Sequence, residues 1–476
     1  MNILFTSAEC APFFKTGGLG DVAFALPKEL AKKGAKLAVV LPYFTKMPET
    51  FKARCEAFAD FYVEVGWRHQ VCSVKRLIMN DITYYFIENA YYFDRETLYG
   101  YEDDGERFAF FSLAIIEMLN KLESIPDIIH VNDFHTAMIP FLLKEKYQSV
   151  KAYQPIKSIL TIHNIEFQGA YSRELLSDYF GMDPVLYKNE FNESLNYLKA
   201  GILYADRVNT VSPSYAEEIK TPEYGFGLDE VLRLEQAKLS GILNGIDYEL
   251  NDPKSDQTIP AKFSIEDLAG KKANKQVLQK KLGLSAHENV PLIGIVSRLT
   301  NQKGFQLVVD SLTKLLDKEI QFAILGTGDA EIEHSLTAFS KRYPDKFKAV
   351  ITFDVALAQL IYAGSDLFMM PSLTEPCGLS QMIAMRYGTL PIVHEVGGLK
   401  DTVIPFNPIT KEGTGFGFSA VRFEDLLSST NLAIDLYQHD QETWQQLMKA
   451  AMRKDFSWEK SGQLYLEVYR KLLQLS

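Results

Sequence analysis

Cysteine is scarce in this chain: Cys10, Cys55, Cys72 and Cys377 are scattered through 476 residues, with no CxxC pair. That spacing excludes a disulfide framework and a cysteine-based zinc site, and it predicts free thiols in a reducing compartment. No apolar run approaches the ~18–20 residues that span a bilayer, so no membrane partner is expected. Met1-Asn2 runs straight into an apolar segment, which predicts no signal peptide and a cytoplasmic location. An excess of basic residues is also missing. The net charge is −11, which argues against a nucleic-acid partner because phosphates would be repelled. GxGxxG, Walker, HExxH and Asp-x-Asp patterns are absent, so neither a nicotinamide site nor a metal centre is expected, and no cofactor is called for.

What is present is a soluble globular composition, 47% hydrophobic and 23% charged, in a chain too long for one ordinary core. Short apolar runs ending in polar or glycine-containing loops recur at 2–7, 36–43, 83–88, 127–133, 158–164, 207–212 and 241–245. They resume at 292–298, 322–326, 349–353, 366–371 and 390–394. Many are continuous rather than alternating, as parallel strands buried on both faces are. Helical patterns fall between them, for example at 20–33, 106–122 and 305–316. The alternation predicts an α/β protein with two Rossmann-like, doubly wound domains. The expected division is 1–245, then 246–455, with a terminal helix at 456–476 packing back across the domains. The polar segment 248–291 reads as the connection plus one helix at 264–282.

The most informative stretch is Met370-Pro-Ser-Leu-Thr-Glu-Pro-Cys-Gly-Leu-Ser380. It sets one carboxylate, Glu375, between an apolar run and a helix-like segment. An acid beside a helix start suits sugar hydroxyls on one side and a phosphate on the other. Arg298 and Lys303 occupy a strand-to-helix loop, where open α/β sheets bind ligands, and two cations there suit a pyrophosphate. Lys15-Thr-Gly-Gly-Leu-Gly offers a point charge with Gly17 and Gly18, whose N–H groups are expected to approach an anion. Gly326 opens a further candidate loop. Asp133 and His135 end or follow one apolar run, and His163 and Asn164 end another, which suggests a common polar floor. Asn244 lies within reach of a sugar hydroxyl or forms an ordinary turn. The aromatic cluster at 84–93 offers sugar-stacking faces but reads more simply as strand and core. Asp103-Asp104 reads as exposed. Cys377, between Pro376 and Gly378, reads as a tight turn rather than a nucleophile.

These segments resemble the bacterial glycogen synthases and plant starch synthases, which are retaining glucosyltransferases with two facing Rossmann-like domains (GT-B). The resemblance is carried by residues 15–21, 104–111, 161–169, 210–219, 241–247, 296–304, 375–379 and 386–391, in the family's order. It implies transfer of glucose from ADP-glucose to the non-reducing 4-hydroxyl of glycogen or another α-1,4-glucan, with retention and release of ADP. It further implies that Lys15, Gly17 and Gly18 contact the sugar nucleotide and that Arg298 and Lys303 hold the diphosphate. Glu375 would bind the transferred glucose, helped by the backbone at Cys377, Gly378 and Leu379. His163 and Asn244 would lie near the primary hydroxyl, Asp133 on the acceptor side, and Phe353 against the adenine.

Three departures stand out. Leu373-Thr374 replaces the family's usual Arg-Phe, removing a cation two residues from Glu375; Asn132 replaces a common histidine; Phe226 replaces a polar residue. They motivate an alternative, a catalytically decayed glucan-binding or regulatory homologue. A nicotinamide dehydrogenase on the same α/β halves is disfavoured by the missing GxGxxG.

Overall fold

The computed structural model describes residues 1–475, which divide into two compact units. The first comprises Met1–Ile242 and the segment from Trp458 onward; the second comprises Leu243–Ser457.

In the first unit the strands are β1 (Asn2–Thr6), β2 (Lys36–Pro42), β3 (Glu56–Val65), β4 (Arg68–Met79), β5 (Ile82–Glu88), β6 (Ile128–Asn132) and β7 (Lys157–Ile162). They continue with β8 (Ala170–Tyr171), β9 (Leu195–Asn196), β10 (Arg207–Thr210) and β11 (Leu239–Gly241). Nine of them form one sheet in the order β11-β10-β7-β6-β1-β2-β5-β4-β3. The run from β11 to β5 is parallel, and β4 and β3 extend it antiparallel. The parallel strands are continuous in apolar residues because helices cover both faces, and Ile3, Phe5, Val39, Ile129 and Leu160 are fully buried. The terminal helix Trp458–Leu472 belongs to this unit. Its Tyr469 hydroxyl meets His130 Nδ1 at 2.6 Å, and Asn209 donates to the Tyr465 hydroxyl at 2.9 Å.

The strands of the second unit are β12 (Leu292–Val296), β13 (Gln321–Gly326), β14 (Phe347–Ile351), β15 (Leu367–Met370), β16 (Leu390–His394) and β17 (Phe416–Phe418). They form a six-stranded parallel sheet in the order β14-β13-β12-β15-β16-β17. The connecting helix Ala269–Leu282 carries two buried lysines. Lys271 donates to Tyr387 O, Ala363 O and Thr389 Oγ1, and Lys275 pairs with Asp366 at 2.6 Å. Each charge is matched by acceptors, as burial requires.

The 84–93 cluster is strand and core, the simpler of its two readings: Tyr84, Phe86, Tyr92 and Phe93 are buried. One expectation needs correction: Asp104 is not exposed but buried, paired with the fully buried Arg107 at the start of the helix Asp104–Met118.

Candidate active site

In each unit the candidate residues gather at the carboxyl ends of adjacent parallel strands. In the second unit, neighbouring strands β14, β13, β12 and β15 lead respectively to Phe353, Gly326, the Arg298–Lys303 loop and Glu375. At about 4.8 Å between strands, these four ends span about 14 Å. Phe353 is 86% exposed, with its ring free to stack. The Arg298 and Gly326 loops are zipped together: Leu299 N–H donates to Thr327 O at 2.9 Å and Asp329 N–H to Leu299 O at 2.8 Å. Arg298 is exposed and its guanidinium has no hydrogen bond or ion pair among the described residues.

Lys303 comes from a single turn between β12 and the helix Phe305–Leu316. Its Nζ donates to both oxygens of Glu375, at 2.9 and 2.7 Å, and Ser372 Oγ donates to the same carboxylate at 2.9 Å. Glu375 is only 6% exposed, so this is a shielded ion pair. The pairing bears on Leu373-Thr374: Glu375 has a cation partner without the missing arginine. The turn beyond Glu375 is fixed by close packing. Gly398 N–H donates to Glu375 O at 3.0 Å, and a Cβ on Gly397 would lie 2.1 Å from that oxygen. Gly378 has φ 71°, and Gln381 Nε2 donates to the carbonyls of Cys377 and Gly378, both at 3.0 Å. Leu379 closes the turn as the N-cap of the helix Ser380–Arg386.

Asn244 joins this group. It lies in the second unit, and its backbone N–H faces the Cys377 thiol, where it favours the thiolate. Its side-chain Oδ1 is buried and has no hydrogen-bond partner among the described residues. Burial pushes the Cys377 thiol up to about 12, and the nearby Glu375 charge adds to the rise, so the sulfur stays protonated.

In the first unit, adjacent strands β7, β6 and β1 lead to His163, Asp133 and the loop carrying Lys15. Asp133 Oδ1 accepts the His163 backbone N–H at 2.7 Å, and His163 Nε2 meets Asn132 Oδ1 at 2.9 Å. Asn132 in turn donates to Thr6 O at 3.0 Å, so it orients His163 from the position where the family often has a histidine. Burial holds His163 down to about 3, hence neutral, and raises the Asp133 carboxyl to about 7 against two backbone N–H donors. Lys15 Nζ pairs with Asp21 at 2.7 Å. The Gly17 N–H is already engaged by Glu9 Oε2 at 3.2 Å, so it is not a vacant anion donor as expected. Phe226 is an exposed residue with φ 48° whose carbonyl accepts from Gln168 at 2.9 Å.

Ser372, Gln381, Gly397, Gly398 and Glu9 shape these sites and were not expected from sequence. Ser372 sits three residues before Glu375, a spacing that offered a signal; the others meet the site through long-range packing. Among the described residues no group of three or more His, Cys, Asp or Glu is placed to hold a metal, and no helix is long and apolar enough to cross a membrane.

Comparison with known proteins agrees with this geometry. Residues 2–234 match the starch synthase catalytic domain model, and residues 278–451 match glycosyl transferases group 1. The chain is 58% identical to a glycogen synthase of Lactococcus lactis, over 99% of this chain and 100% of the relative. It is 56% identical to a glycogen synthase of Ligilactobacillus salivarius, with the same coverage. The catalytic domain of starch synthase IV from Arabidopsis thaliana, solved with ADP and acarbose, superimposes with a TM-score of 0.91 at 34% identity, over 99% of each chain. A sucrose-phosphate synthase from Thermosynechococcus elongatus shares the fold, with a TM-score of 0.63 at 17% identity and full coverage of both chains. Fold and site define a glycosyltransferase of the GT-B class, built from two α/β units. Within that class, the chain belongs to the glycogen synthase and starch synthase family.

Proposed function

We propose that the protein transfers glucose from ADP-glucose to the non-reducing 4-hydroxyl of an α-1,4-glucan, with retention and release of ADP. The observation that carries this reading is the order of groups along the second sheet: exposed ring, glycine, two cations, carboxylate. A nucleotide sugar has the same order of base, ribose, diphosphate and hexose. In this reading Phe353 stacks on adenine and the Gly326 loop, packed against the Ser297 and Leu299 backbone, lies beside the ribose. Arg298 forks onto the diphosphate. Lys303 spends two N–H bonds on Glu375 and has a third left for a phosphate oxygen. Glu375, Asn244 and the turn Cys377–Leu379 hold the glucose, with the unpaired Asn244 Oδ1 accepting from a sugar hydroxyl.

In the reaction the bond between C1 and the phosphate oxygen breaks as the acceptor O4 bonds to C1 on the same face. The acceptor proton passes to the departing phosphate oxygen. Negative charge grows on that oxygen, and Arg298, Lys303 and Lys15 stabilise it. Cys377 is a protonated thiol and Glu375 is tied to Lys303, so neither acts as a covalent nucleophile. The family resemblance assigns Lys15 to the donor, neutral His163 to the primary hydroxyl and Asp133 to the acceptor.

The alternative of a decayed glucan binder loses its motive, because Lys303 supplies the charge partner that Leu373-Thr374 lacks. Full-length identity to glycogen synthases supports transfer as well. Four free cysteines fit a reducing, cytoplasmic compartment. Replacing Arg298 by Ala is the test: kcat/KM for ADP-glucose should fall more than about tenfold with the fold intact. Retention of normal donor use would remove Arg298 from the diphosphate site.

A further inference from the structure

Glu9 is a buried carboxylate, 4% exposed, beneath an exposed loop. Its Oε2 accepts the backbone N–H groups of Thr16 and Gly17, at 2.6 and 3.2 Å. Its Oε1 accepts from Thr16 Oγ1 at 2.6 Å and from the Tyr99 hydroxyl at 2.8 Å. The four donors come from two segments, Thr16-Gly17 and Tyr99, far apart in sequence, and the Lys15 loop touches both oxygens. Burial and the Glu9 charge push the Tyr99 phenol well up, so it stays a donor. The Tyr99 ring lies against His135, with centroids 4.6 Å apart, and His135 belongs to the turn Asp133–Thr136.

We propose that Glu9 is a positioning residue: its carboxylate fixes the Lys15–Gly18 loop and, through Tyr99, ties that loop to the turn bearing Asp133. Beyond this carboxylate the loop is held by the surface Lys15–Asp21 pair and by its join to the helix Gly18–Lys32, while Lys15, Thr16, Gly17 and Gly18 are all exposed. A lysine on an untethered glycine loop samples many directions, and its charge then acts on the departing phosphate only part of the time. Glu9 works through Lys15 and does not itself meet substrate. This rests on the assignment of Lys15 to the donor proposed above.

The substitutions Glu9→Ala, Glu9→Gln and Tyr99→Phe test it. Glutamine can turn its oxygen to the two backbone N–H groups and its amide to the two hydroxyls, so it replaces the network without the charge. In Glu9→Ala, kcat/KM for ADP-glucose should fall about tenfold or more, carried partly by a higher donor KM, with KM for glycogen unchanged within about twofold. Glu9→Gln should recover to within about threefold of the parent. Tyr99→Phe should show a smaller loss that is less than additive with Glu9→Ala, as groups in one network behave. Hydrogen exchange of the 12–21 segment should quicken at least about tenfold in Glu9→Ala, whether or not the reaction is the proposed one. Unchanged exchange there overturns the tether. A fall in kcat that follows only the folded fraction, with both KM values unchanged, overturns the positioning role. If the parent protein turns over neither ADP-glucose nor UDP-glucose, the functional reading fails, and the exchange result alone decides the tether.

Discussion

Replacing Lys303 by Met separates the two jobs the Lys303–Glu375 pair performs. The ammonium contacts both carboxylate oxygens at 2.7–2.9 Å, and the side chains are 19% and 8% exposed. Methionine keeps the aliphatic bulk but leaves Glu375 with only the Ser372 hydroxyl. Removing one partner of a fully buried pair costs about 3–5 kcal/mol; the residual exposure of Lys303 puts this case at about 3 kcal/mol. A second substitution, Glu375→Gln, removes the stranded charge, so the double variant should regain all but about 1 kcal/mol. Activity should not follow. Lys303→Met should lose about 10–150-fold in kcat/KM for ADP-glucose, the equivalent of one charged hydrogen bond, and the double variant should be no better. Hydrogen exchange of the 371–386 segment against urea reads local stability, and ADP release reads activity. A Lys303→Met protein as stable as the parent, or a double variant as unstable as the single, would refute the shielded-pair reasoning.

Lys15→Ala should cost more than about tenfold in activity with melting unchanged, because Lys15 is exposed and, among the described residues, pairs with Asp21 alone at the surface. Phe353→Ala should raise the ADP-glucose KM by about 5–150-fold, since stacking on a base is worth about 1–3 kcal/mol, and it should leave stability within about 0.5 kcal/mol. His130 is fully buried between Tyr469 Oη and Thr161 Oγ1, and burial holds it down to about 3. The unfolded chain takes up a proton near pH 6.5 that the native state refuses. Stability is therefore lost as pH falls below 6.5 toward 3, by about 2 kcal/mol from this residue between pH 7 and 5. Denaturant unfolding of His130→Gln should show a shallower dependence by that amount; an unchanged slope would mean His130 is not held neutral.

Much of this was readable from residue order because parallel strands buried on both faces are continuous apolar runs. The runs at 292–298 and 322–326 became β12 and β13 within a few residues, and 305–316 became a helix with those bounds. The hairpin β3–β4 was not anticipated. Its strands are partly exposed, with polar and apolar residues interleaved, and β3 is the edge of the sheet. The short β17 likewise gave no signal, since three residues carry no periodicity. Within the sites, Lys303 and Glu375 stood out because each follows a strand. Their direct pairing did not, because seventy-two residues separate them and only the adjacency of β12 and β15 brings them together. Asn244 and Cys377 were noticed separately for the same reason, and so was the occupation of the Gly17 N–H by Glu9.

The most direct test supplies purified protein with glycogen and either ADP-glucose or UDP-glucose, measuring nucleotide release and glucose incorporation together. The account predicts glycogen-dependent ADP release matched one for one by incorporation. No turnover with either donor while glycogen is still bound would contradict it.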